Sequence, residues 1–343
     1  MRFRTAEGAS HEGRDGSGHE RFRVSIPFDE HGFFGRQCPS CMQIFRMHGE
    51  DYHHLPDDLQ LTCPYCGHVS EHSEFMTEQQ RDRVMQVARD AALQMVSDAF
   101  KGLSRRSTGS SRRGGVTVTF RSKPFYPRPL PGINEESLIR ERRCETCGVR
   151  YAVFGEHRFC PVSGLLAPGD IAADALASEE AKLSALSAIP ADQIPILREQ
   201  GVFERINVDV LGRVVGAVEA CASSVFRNHA LNAEAALRGK GNVFQRLDDL
   251  AGLFRDAFGV ELATVDGVRW PELVRLWAAR HVHTHAGGLV DDRYLRAVPA
   301  SRLAAGQRVV VTDADAHLAI QQARLLCDAI TLVGGTQASV PSA

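Results

Sequence analysis

Seven of the nine cysteines in this chain fall into two short clusters, and their spacing constrains its folding more than any other feature. Cys38-Pro-Ser-Cys41 and Cys63-Pro-Tyr-Cys66 repeat a C-x2-C pair. Four thiolates on two tight turns can close a tetrahedron around a divalent ion, which then replaces the core that so short a segment cannot build. Disulfides are the rival use of such residues, but paired C-x2-C spacing in a reducing compartment points to Zn²⁺. The expectation is one structural zinc on Cys38, Cys41, Cys63 and Cys66.

This pattern resembles a zinc ribbon, which implies a closed coordination shell. The run CETCGVRYAVFGEHRFCPVSG resembles a second ribbon with one defect: Cys144, Cys147 and Cys160 stand where ligands belong, and Ser163 takes the fourth place. Serine is a poor zinc ligand. Either His157 completes the site or the metal has been lost, and the hairpin shape survives in both cases. His48, His53 and His54 decorate a loop between the first knuckles. Cys221 and Cys327 stand alone in helical patterns and are expected as small buried apolar residues.

At 343 residues the chain has room for two or three domains. A net charge of −2 excludes general affinity for nucleic acid and leaves that role to local patches. The N-terminus lacks a signal-peptide core, and no apolar run approaches a membrane span, so a cytoplasmic protein without membrane partners is expected. Composition divides the chain into a disordered tail over 1–21, a zinc ribbon over 22–76, and a helix over 77–100 opened by the capping box Thr77-Glu-Gln-Gln80. A basic linker follows over 101–115, carrying five positive charges and no negative one. It is a solvated tether or a contact to phosphates, with the tether preferred. The degenerate ribbon occupies 116–166, with a short strand at 116–120. A helical connector spans 167–201, a helical domain 202–335, and a tail 336–343.

Helical spacing within the last domain predicts helices near 209–231, 243–258 and 313–333, with a strand-like run at 306–312. The fourth helix is Trp270–His285, with Pro271 in its first turn and Gly287-Gly288 as its stop. Stepped at 100° per residue, Leu273, Val274, Leu276, Trp277 and Ala278 fill one arc, and Arg280, His281, Thr284 and His285 continue it. Ala279, Val282 and His283 fall opposite. Burying cationic and imidazole groups without partners is costly, so the arc needs an explanation. His285 could favour the negative end of the helix dipole while Arg280 pairs with a carboxylate elsewhere. His281, His283 and His285 could suggest a metal, but His283 points away from the other two. The third option is a catalytic Arg/His pair facing a partner.

Arg280-x4-His285, with a polar residue after the Arg, then Gly-Gly, Asp291 and Tyr294-Leu295, resembles the Rx4-6H signature of the HEPN superfamily. The resemblance covers about the C-terminal third of the chain. It implies a mainly α protein in which a HEPN-like helical bundle follows the small ribbon modules of hairpins and knuckles. It further implies a homodimer, RNA as substrate, metal-independent endoribonuclease activity, and a toxin-like or antiviral-defence role. Arg280 and His285 would be catalytic, with His281 beside them where the family more often carries Asn or Asp. Such chemistry is coherent: the RNA 2′-hydroxyl is the nucleophile, a histidine moves protons and an arginine stabilises phosphate charge. One helix places the pair about 140° apart around its axis, so two helices across a two-fold axis would supply a fuller site. The alternative is a non-catalytic module that binds RNA, or a protein partner through its ribbons.

Overall fold

The computed structural model describes residues 3–106, 125–133 and 140–336. The expected basic linker from residue 107 onward, the strand at 116–120 and the tail from 337 lie outside them. The chain divides into two units. One runs to Phe154 and includes Phe159–Leu165; the other takes Gly155–Arg158 and the chain from Leu166 on. The described residues hold ten α-helices and small antiparallel sheets. No helix among them is long and apolar enough to cross a membrane.

The first unit opens with an antiparallel hairpin of β1 (Ala9–Arg14) and β2 (Glu20–Val24), where disorder was expected. Low apolar content misled there, because cross-strand pairs supply the order. The ring of Phe3 packs against His11 and Phe22, and Glu20 accepts from Arg14 at 2.6 Å while bonding His11 at 2.8 Å. The chain continues through β3 (Phe33–Gln37), β4 (Ile44–His48), α1 (Gly49–His53), β5 (Leu61–Thr62) and β6 (Val69–Ser70) into α2 (Glu78–Arg106). The capping box forms as the sequence predicts. Gln80 N–H donates to Thr77 Oγ1 and Thr77 N–H to Gln80 Oε1, each at 3.3 Å.

The strands β7 (Arg142–Arg143), β8 (Arg150–Val153), β9 (Phe159–Cys160) and β10 (Gly164–Leu165) complete this unit. The two Cys modules are not separate bodies. Strand β4 pairs antiparallel with β8, so both contribute to one sheet in the order β3-β4-β8-β7. Arg150 reinforces the join by donating to Asp51 Oδ1 at 2.7 Å and Glu50 Oε2 at 3.0 Å. The knuckles also exchange backbone bonds, from Thr62 N–H to Pro161 O at 2.8 Å and from Phe159 N–H to Pro64 O at 3.1 Å.

The second unit contains α3 (Pro168–Ser187), α4 (Ile194–Glu199), α5 (Val202–His229), α6 (Ala233–Leu237), α7 (Leu247–Phe258), α8 (Trp270–His285), α9 (Asp292–Ala297) and α10 (Asp313–Thr336). Helix α5 is the spine. Val210, Leu211, Val214, Val215, Val218, Cys221, Ala222, Val225 and Phe226 recur every three or four residues and are all buried. Against them pack α10, α3 and α8. Helix α3 lies within the stretch expected as a connector, yet its Ala172, Leu176 and Leu183 belong to the same core. Alanine-rich composition hid a buried face that sparse large residues were enough to supply. The run at 306–312 makes only one bridge, Leu289 to Arg308, but Val309 and Val311 are buried around an exposed Val310. Cys221 and Cys327 are buried, as expected.

Candidate functional site

Each Cys cluster is built from hairpin turns with a shared backbone pattern. In three turns the first Cys accepts from the residue four positions on: Met42, Gly67 and Gly148 N–H bond the carbonyls of Cys38, Cys63 and Cys144 at 2.8–3.0 Å. The residue after each last ligand position, Met42, Gly67, Gly148 and Gly164, has positive φ. Cys38 and Cys66 Sγ lie 3.7 Å apart, and Cys41 and Cys63 Sγ 3.6 Å. Zn–S bonds of about 2.3 Å place tetrahedral sulfurs about 3.8 Å apart, so the four thiols fit such an ion. Burial pushes the Cys63 thiol far above its ordinary value, which favours release of its proton only when a cation takes its place.

The second cluster brings together Cys144, Cys147 and Cys160. Cys147 and Cys160 Sγ are 3.6 Å apart, and burial pushes Cys160 up to about 12. The fourth corner is Ser163, whose Oγ lies 3.3 Å from Cys144 Sγ. His157 does not join this cluster. Its ring bonds the Asp174 carboxylate of α3 at 3.0 Å, both side chains being buried. Both clusters are therefore close enough to hold a metal ion such as zinc, the first with four thiols and the second with three.

In the helical unit, Arg280, His281 and His285 line one cleft of about 420 Å³ together with Val274, Trp277 and Ala278 of α8. Its other walls come from Asn242, Gln245, Asp248 and Asp249 before and within the first turn of α7, and from Arg293 and Tyr294 of α9. The C-terminal stop of α8 is set by Gly287 and Gly288, at φ 61° and 84°. Gly288 N–H bonds Val282 O at 2.9 Å, which turns the chain toward α9. Asp291 caps α9 by accepting from Tyr294 N–H at 2.7 Å. That cap brings Arg293 to the cleft.

Of the polar arc read from the sequence, Arg280, His281 and His285 line the cleft, whereas Thr284 is exposed and donates its hydroxyl to Arg280 O at 2.9 Å. Ala279 and Val282, expected opposite the core, are buried. His283 is also half-buried, with its ring bonded to Val309 O at 3.0 Å. A Cβ at Gly288 would lie 2.9 Å from that ring. Helix α8 is thus covered on two sides near its C-terminus: the segment around Val309 packs on one and the cleft opens on the other. Periodicity alone could not show this, because the covering segment has no helical period of its own.

Charge and protonation differ along the wall. The Arg280 guanidinium has no carboxylate partner among the described residues. His281 Nε2 lies 3.2 Å from Arg293 Nη1. A guanidinium only donates, so this nitrogen accepts and carries no proton. Burial first, then the positive charge of Arg293, lowers the His281 pKa. The rings of His281 and His285 meet at a tilt of 47°, with centroids 4.7 Å apart. His285 is the more exposed of the two. Sequence reasoning missed Arg293, Trp277 as a lining residue, and the wall before α7. The Asp291 cap is the one local signal that could have placed Arg293. Comparison with family models, with curated proteins and with solved structures finds no match to this chain.

Proposed function

We propose that the C-terminal unit is a HEPN-type, metal-independent endoribonuclease that works as a homodimer, and that the Cys modules form a separate zinc-stabilised unit of the same chain. One observation carries this reading: Arg280, His281 and His285 share one wall of a cleft, with the Arg280 guanidinium free of any carboxylate among the described residues. An unpaired guanidinium in a cleft is suited to a phosphate, which it can hold through two parallel donors. His285 would take the 2′-hydroxyl proton or protonate the 5′-oxygen, and a second copy would supply the other proton carrier. His281, held neutral against Arg293, serves as a positioning residue for His285. A toxin-like or defence role rests on the same resemblance.

The test is incubation of the purified full chain with mixed RNA, with EDTA present at a concentration that leaves the Cys modules folded. Cleavage leaving 2′,3′-cyclic phosphate ends is expected. RNA bound and recovered intact would instead support a non-catalytic binding module.

A further inference from the structure

The two walls of the cleft are opposite in chemistry. On α8 and α9 stand Arg280 and Arg293, and no carboxylate among the described residues pairs with either. The facing wall offers acceptors. Asp248, in the first turn of α7, is exposed and has no partner among the described residues. Its neighbour Asp249 is paired with Arg246. Gln245 spends its amide nitrogen on Glu219 at 2.8 Å, which leaves its carbonyl oxygen to accept. Trp277, on the α8 wall, is 7% exposed, and its indole N–H is buried with no hydrogen-bond partner.

A ligand that fits must be anionic at one end and rich in N–H donors at the other. A simple polyanion fails, because the acidic first turn of α7 would repel its far end. A single nucleotide meets both conditions, and a cleft of about 420 Å³ is within the range that holds small ligands. Among the bases, guanine alone presents two adjacent donors, N1–H and the N2 amino group, on its Watson–Crick edge. A carboxylate accepts both at once, whereas adenine, cytosine and uracil each offer one donor group there.

We propose that the cleft of one protomer seats a single guanine nucleotide, its phosphate on Arg280 and Arg293 and its base edge on Asp248. The choice of a nucleotide rests on the ribonuclease reading; the choice of guanine rests on the α7 wall.

The test is calorimetric titration of the full chain with 3′-GMP and with 3′-AMP, which needs no turnover. The expected result is 3′-GMP binding about tenfold or more tighter. Asp248→Asn should bring 3′-GMP to the level of 3′-AMP, and Arg293→Gln should weaken both nucleotides by a similar factor. Asp248 is exposed, so far-UV circular dichroism of its variant should match wild type. Equal affinities, a preference that survives Asp248→Asn, or no binding of either nucleotide would overturn the proposal. Selective 3′-GMP binding by a protein that cuts no RNA would keep the site and remove the nuclease. Cleavage without base preference would do the reverse.

Discussion

The Cys-bearing unit and the helical unit reach order by different routes. In the first, short hairpins gather thiols into two clusters, and the buried apolar residues, among them Phe34, Phe45, Met47, Phe75 and Tyr151, are fewer than in the second. In the second, one long helix carries a continuous buried stripe, and three more helices cover it. The first unit depends on a few specific contacts, including the Cys corners and the Arg150 brackets. The second spreads its stability over dozens of side chains, each worth about 1.5–3 kcal/mol when fully buried. That difference predicts that they fail under different insults.

Metal removal gives the largest contrast. Chelation strong enough to strip the first cluster should disorder the sheet, because that ion stands in for a core. The helical signal of the second unit should remain. Limited proteolysis with and without chelator reads this directly, and equal protection of both units would contradict it. Within the first unit the clusters themselves should differ. Cys63→Ser should release the ion of the first site, and Ser163→Cys should raise retention at the second by supplying the missing thiolate. Unchanged metal content in both variants, by elemental analysis, would show that these cysteines hold none.

His283 is the next largest effect. The sequence placed it on an outer face, where loss of the ring would be nearly silent. The structure bonds it to Val309 O and packs it against Gly288. His283→Ala should therefore cost about 1–3 kcal/mol by leaving a half-covered carbonyl without its donor. Urea unfolding followed by helical circular dichroism measures it, and an unchanged midpoint would restore the outer-face assignment.

How far each unit was legible follows from the same contrast. The Cys spacing exposed the ligand sets because turn geometry is local: four residues specify a knuckle. It did not reveal that β4 pairs with β8, since a shared sheet leaves no trace in the spacing within either module. His157 was a plausible fourth ligand by proximity along the chain, yet its ring bonds Asp174. In the helical unit, periodicity found α5, α7, α8 and α10. It missed the role of α3, whose buried face rests on Ala172, Leu176 and Leu183 among many alanines. The Arg280/His285 wall was readable as a pattern. The cleft was not, because Asp248, Arg280 and Arg293 come from three separate segments that only the packing assembles.

A smaller effect separates the units by pH. The His281 pKa is lowered, chiefly by burial and then by Arg293. The unfolded chain therefore binds a proton near pH 6.5 that the folded chain resists, and stability falls as pH drops below that value. In the first unit, the Arg150 guanidinium lowers the Asp51 pKa, so the stability of that pair is lost only on further acidification, below about pH 4. His281→Asn should flatten the dependence of the helical unit between pH 7.5 and 5.5. Identical pH profiles for variant and wild type, read as thermal midpoints, would show that His281 does not titrate as its surroundings require.

The most direct measurement of the central claim compares wild type with His285→Ala on the same RNA, reading cleavage rate and binding together. His285 is exposed at the end of α8, so the variant should keep the wild-type fold. Loss of a proton-transfer group predicts a rate lower by about 10²–10⁴-fold, with RNA affinity close to that of wild type. A variant that cuts RNA as fast as wild type would contradict the ribonuclease account and leave the cleft as a binding site alone.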